Sequence, residues 1–137
     1  MSLLDVLYDQ LEVDEGKRGK MYLDSRGIPT IGIGHNLRDR SISERAIRVI
    51  FEDDTAQAID DAKHLFPNFD QLSEVRQAVL ANMSFNLGLT KLAEFKLMRA
   101  AVATGNFDGA AEAMLDSAWA KQVGDRSKRL ADAMRKG

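Results

Sequence analysis

Three observations predict an α+β chain that is mostly helical, with one small β-hairpin near its N-terminus. The window from Lys20 to His35 places β-favouring residues on either side of a short glycine turn. Helical periodicity, with start and stop signals, occupies nearly everything else. No linker, repeat or low-complexity stretch interrupts the 137 residues, a length that fits one domain.

The first element reads as an amphipathic helix, with Leu4, Leu7, Tyr8 and Leu11 at helical spacing and Gly16 as its stop. Met21-Tyr22-Leu23-Asp24 and Ile28-Pro29-Thr30-Ile31-Gly32-Ile33 then flank Ser25-Arg26-Gly27 as the two arms of a hairpin. Pro29 has no N–H for a ladder, so it belongs at a strand start or an edge. Ser41 or Ser43 can cap the next helix, whose apolar stripe is Ile47, Ile50, Phe51, Ala58 and Leu65, and Pro67-Asn68 breaks it. A helix from near Ser73 to Gly88 is apolar on most sides and reads as the central core helix. Further helices are expected over about Thr90 to Thr104, Asp108 to Ala120, and Asp125 to Arg135.

Composition narrows the chemistry. With 45% hydrophobic and 29% charged residues, the chain is an ordinary soluble globular type. It has no cysteine, which excludes a disulfide scaffold and thiolate catalysis. The N-terminal residues carry neither a basic start nor an uninterrupted apolar run, so neither a secretory signal nor a membrane anchor is expected there. The net charge of −2 is unevenly spread, with an acidic stretch from Glu52 to Glu74 and a basic one from Ser117 onward. The basic residues read as the solvated face of a last helix, and no nucleic-acid partner is expected. His35 and His64 are the only histidines, too few for a catalytic zinc, and no metal or cofactor is expected. No Gly-x-Ser-x-Gly turn is present. Gly32-Ile33-Gly34 has Leu37 where a dinucleotide loop needs its third glycine, and Met21 follows Lys20 where a P-loop needs Ser or Thr. Carboxylate chemistry is what remains.

Glu15 lies four residues beyond Leu11 and, at about 100° per residue, within roughly 20° of Leu4 in projection. That places a carboxyl on the stripe expected to be buried, at the C-terminal end of the helix. Desolvation and the helix dipole there would favour the protonated acid that a glycosidase needs. Asp24 follows at the hairpin turn, within reach of water, and is expected to stay ionised. Thr30 on the returning strand offers a hydroxyl that can hold a water. The spacing alone is also compatible with a solvated glutamate and a turn-forming aspartate.

The strings Asp14-Glu15-Gly16, Tyr22-Leu23-Asp24 and Thr30-Ile31-Gly32-Ile33-Gly34-His35 resemble the signature of phage-type lysozymes, the endolysins of glycoside hydrolase family twenty-four. Weaker similarity continues through Phe51-Glu52-Asp53-Asp54, Asn82 to Gly88, and Trp119 with Asp125-Arg126-Ser127-Lys128-Arg129. The resemblance implies a lysozyme-like fold over 1–137. A small lobe of roughly 16–45 and a joining helix of roughly 43–65 would accompany a helical lobe of 66–137 that includes the N-terminal helix. It also implies cleavage of the β-1,4 bond between N-acetylmuramic acid and N-acetylglucosamine in bacterial peptidoglycan. Glu15 would be general acid, Asp24 general base and Thr30 a water holder, with inversion at the anomeric carbon. Inversion needs room for a water, so the carboxyls should lie roughly 6.5–9.5 Å apart.

By the same resemblance Arg126 approaches the catalytic Glu, His35 and Asp54 form a salt bridge, and Asn36, Phe85 and Asn86 contact substrate. From the residues alone, Asp54 sits four after Ile50 on the apolar stripe, which predicts a buried partner. The family also implies host-cell lysis after release through a pore made by a separate membrane protein, and nothing in the composition predicts anything but a monomer. This chain departs from the pattern in three places. It is shorter than the T-even phage enzyme between His35 and Phe51, it carries Asn36, Met98 and Ala113 at three substrate-contact positions, and it stops soon after Arg135. The competing readings are a lytic transglycosylase on the same bond, which needs no activated water, and a non-catalytic cell-wall binding module. Retention of Asp24 and Thr30 speaks against the first, and of Glu15 and Asp24 against the second.

Overall fold

The computed structural model describes residues 1–137, which are mostly helical with one small antiparallel sheet. The chain forms two compact units, Met1–Val49 and Ile50–Gly137.

The first unit opens with α1 (Leu3–Glu15). Ser2 accepts the Asp5 N–H, and Asp5 accepts the Ser2 N–H in return at 2.9 Å, a reciprocal cap that satisfies two free donors of the first turn. Gly16, with φ +81°, ends the helix as expected. The expected burial of its apolar stripe does not hold, because no residue of α1 is buried, and Leu4 and Tyr8 are 74% and 48% exposed. Periodicity specifies which face can be covered, but coverage itself is a tertiary matter.

Three strands follow, β1 (Arg18–Leu23), β2 (Pro29–Gly32) and β3 (His35–Asn36), in the order β1-β2-β3. The hairpin closes with Tyr22 opposite Thr30 and Leu23 opposite Pro29. Pro29 is the first residue of its strand, where a missing N–H is tolerated. The third strand was not expected. Gly32 and Gly34, at φ +66° and +69°, turn the chain back so that Thr30 faces Asn36 and Ile31 faces His35. Ile28 and Thr30 are the buried residues of this unit.

Helix α2 (Glu44–Leu65) is capped by Ser43, whose hydroxyl accepts the Ala46 N–H at 3.1 Å. Of its expected stripe only Ala58 and Leu65 are buried, joined by Ala62, whereas Ile47, Ile50 and Phe51 are about half exposed. After a 3-10 turn (Phe69–Gln71), α3 (Glu74–Leu87) starts at the Ser73 cap and stops at Gly88. It carries buried Val79, Leu80 and Met83, in keeping with a core helix.

The two helices expected next are each divided. In place of one helix over 90–104 there are α4 (Leu89–Ala93) and α5 (Lys96–Ala103). Phe95 leaves helical geometry between them and sets its ring edge-on to Trp119, with centroids 6.2 Å apart. In place of one helix over 108–120 there are α6 (Phe107–Leu115) and α7 (Ala118–Val123). Ser117 divides these, because its extended backbone lets its hydroxyl accept the Ala120 N–H while donating to the Met114 carbonyl. Finally α8 (Asp125–Lys136) runs as expected.

The core of this unit lies among α3, α5, α6 and α8. Met83, Met98, Met114 and Met134 are fully buried in it, and their flexible thioethers suit the irregular gaps between short helices.

Candidate active site

The expected catalytic residues, Glu15, Asp24 and Thr30, all fall in the first unit. Asp24 sits where β1 gives way to the turn. Its N–H donates to the Ile28 carbonyl at 3.0 Å, and its Oδ1 accepts the N–H groups of Ile28 at 2.9 Å and Arg26 at 2.8 Å. The Ile28 N–H holds the carboxyl below the ordinary aspartate value. Partial desolvation opposes this, and the Arg26 N–H and the charges of Arg26 and Arg38 add to it.

Thr30 is buried on β2, and its hydroxyl donates to the same Ile28 carbonyl at 2.8 Å. Asp24 and Thr30 are therefore tied to one peptide, that of Ile28, itself 2% exposed. Because the Thr30 proton is committed to the backbone, its oxygen faces any further partner as an acceptor.

Glu15 is the last residue of α1 and is exposed rather than buried, contrary to expectation. Its side chain lies against Gly34: a Cβ built on that glycine would fall 3.3 Å from Glu15 Cγ and Oε2. The sequence singled out Gly34 in the family signature and excluded it from a dinucleotide loop, but it gave no sign of this contact.

His35 and Asn36 are on β3. His35 is half-buried, with Nε2 enclosed and without a protein hydrogen-bond partner. Asn36 uses its side chain to shape the following turn, with Oδ1 accepting from Arg38 and Asp39 and Nδ2 donating to Asp39.

The remaining site residues belong to the second unit. Asp54, expected to have a buried partner, is exposed on α2. It lines a shallow groove of about 300 Å³ with Gln57, Asp61, Ser84 and Phe85, a residue 57% exposed. Asn86 accepts the indole N–H of Trp119 at 2.8 Å. Arg126 directs both Nε and a terminal nitrogen to Asn82 Oδ1, at 3.2 and 2.7 Å. Neither partnership was expected, since the residues are 33 and 44 positions apart. A wider groove of about 550 Å³ is lined by Phe95, Met98, Ala113 and Trp119, with Lys91, Glu94 and Asp116 among its polar residues. No group of three or more histidine, aspartate or glutamate side chains is placed to hold a metal ion.

The helix-end glutamate, the turn aspartate and the strand threonine thus stand in one unit, in the order that the family resemblance requires. The family described as phage lysozyme matches residues 12–136. The chain belongs to the phage lysozyme family. Relatives agree with this. Probable T4-type lysozyme 2 of Dictyostelium discoideum is 26% identical over 164 aligned positions, covering 98% of this chain and 96% of that protein. The endolysin of Salmonella phage P22 is 31% identical over 115 positions, with 77% and 76% covered. The pre-baseplate central spike protein Gp5 of Enterobacteria phage T4 is 29% identical over 150 positions, covering 89% of this chain but only 26% of the spike protein. This lysozyme therefore spans about a quarter of one relative and nearly all of another. Its family is that of enzymes that lyse peptidoglycan, and none of its helices is long and apolar enough to cross a membrane.

Proposed function

We propose that this lysozyme hydrolyses the β-1,4 bond between N-acetylmuramic acid and N-acetylglucosamine with inversion, using Glu15 as general acid and Asp24 with Thr30 to position and activate water. The observation that carries this reading is the common attachment of Asp24 and Thr30 to Ile28. Asp24 is an ionised acceptor, and the Thr30 oxygen, its own proton already donated, is a second acceptor. A water between two acceptors donates one hydrogen to each and turns a lone pair outward, the orientation that attack on an anomeric carbon needs.

In the reaction, the Glu15 proton passes to the glycosidic oxygen as the C–O bond breaks, and the water oxygen bonds to the anomeric carbon. The proton lost by that water goes to Asp24. A carboxylate of low proton affinity is a weak base, so it takes the proton late, once the new bond has made the water acidic. Its charge also opposes the positive charge developing on the sugar ring.

The other residues take supporting places in this reading: His35, Asp54 and Arg126 each support the fold locally, and Asn36, Phe85 and Asn86 contact the glycan. The enzyme acts as a monomer on the bacterial cell wall, reaches it through a separate pore protein, and lyses the host cell.

Digestion of purified peptidoglycan with product masses tests the assignment. Hydrated muramic acid ends from the wild type, reduced about 10²-fold or more by Glu15→Gln, are expected. Anhydro ends would identify a transglycosylase and leave Asp24 without its role, and no products would favour a binding module.

A further inference from the structure

The geometry points to Gly34 as a positioning residue for Glu15, an inference that rests on the reading of Glu15 as the acid. Gly34 stands between β2 and β3, beside the last residue of α1. The three atoms nearest a side chain there would all belong to Glu15: the added Cβ would lie 3.3 Å from Cγ, 3.3 Å from Oε2 and 3.4 Å from Cβ. The first two separations are tighter than ordinary van der Waals contact. The exposed Glu15 stem is the more mobile partner, so it would move by a few tenths of an ångström. A proton donor has to meet the leaving oxygen at hydrogen-bond distance, and displacements well under 1 Å already lower the rate. The absent side chain thus sets where the Glu15 carboxyl rests.

Gly32 provides an internal control. It lies in the same reversal with nearly the same positive φ, +66° against +69°, but an added Cβ there meets no atom within 4 Å. Alanine at either position brings similar backbone strain, and only at Gly34 does it also touch Glu15.

The experiment measures kcat and KM on soluble peptidoglycan fragments for wild type, Gly34→Ala, Gly32→Ala and Glu15→Gln. The expected result is a kcat for Gly34→Ala about tenfold below that of Gly32→Ala, with KM values within about twofold of each other. Equal kcat values for the two alanine variants would overturn the proposal. Should Gly34→Ala fail to fold while Gly32→Ala folds, the double variant Glu15→Ala/Gly34→Ala decides. Recovered folding supports the contact, and continued failure overturns it. Wild-type kcat in Glu15→Gln would instead overturn the acid assignment, independently of either glycine.

Discussion

Asp24 and Ile28 are joined in both directions: the Asp24 N–H donates to the Ile28 carbonyl at 3.0 Å, and the Ile28 N–H donates to Asp24 Oδ1 at 2.9 Å. The side chain proposed to activate water is thus also the one that closes the hairpin. These two roles separate by substitution. Asp24→Asn keeps an oxygen for the Ile28 and Arg26 N–H groups but loses the charge. It is expected to fold normally and lose about 10²-fold or more in kcat. Asp24→Ala loses the turn bonds as well and should melt lower than Asp24→Asn, as calorimetry would show.

The same bonds set a pH dependence. They hold the Asp24 carboxyl below its ordinary 3.8, so Asp24 is ionised at neutral and mildly acid pH. The acid limb of kcat/KM that belongs to Asp24 is therefore expected below pH 3.8, and a limb near 6 would contradict its assignment as the base. Stability follows by linkage. A carboxyl depressed by folding contributes stability above its unfolded value, near 3.9, and that contribution disappears as pH falls through the folded value. The stability difference between wild type and Asp24→Asn should be constant above about pH 5 and shrink below pH 4.

Thr30 tests the water-holding geometry. In Thr30→Val the Ile28 carbonyl keeps its bond from the Asp24 N–H, so the structural loss is confined to one hydrogen bond, about 1 kcal/mol. Removal of the acceptor oxygen should lower kcat by about tenfold or more. Thr30→Ser, which keeps that oxygen, is expected to recover most of the rate.

In the second unit, the indole N–H of buried Trp119 has Asn86 as its partner. Asn86→Ala removes the acceptor and is expected to cost about 1–2 kcal/mol. Thermal unfolding followed by the fluorescence of this single tryptophan should show a Tm lower by roughly 3–6 °C.

Arg76 fastens the end of α8. Its guanidinium donates to the carbonyls of Met134 at 2.7 Å and Arg135 at 2.8 Å, and it stacks on Phe107 at 3.6 Å. Arg76→Met leaves both last-turn carbonyls without this donor and should cost about 2 kcal/mol in urea unfolding. Arg76→Lys is expected to recover less than half of that loss, because one ammonium does not reproduce the planar fork.

Much of this molecule was legible from residues a few positions apart. Gly16, Gly27 and Gly88 take the positive φ values that stop or turn a chain, and Ser43 and Ser73 cap helices through their own hydroxyls. These are local matters of backbone sterics and short-range hydrogen bonds, which a sequence specifies directly. Glu15, Asp24 and Thr30 were singled out by the family resemblance, since a helix-end glutamate and a turn aspartate at that spacing also fit ordinary solvated and turn-forming roles.

What escaped that reading depends on partners distant in sequence. Phe95 interrupts a helical stretch and sets its ring against Trp119, a partner that no feature of residues 90–104 announces. Ser117 carried a legible capping signal, yet its weight came from the Met114 carbonyl that it also satisfies. Asn82 holds Arg126 and Arg76 holds the end of α8, across 44 and 58 residues. The exposure of Glu15 and its rest against Gly34 are likewise tertiary. Local sterics decide where an element begins and ends, whereas burial and partnership depend on which surfaces meet when the chain folds.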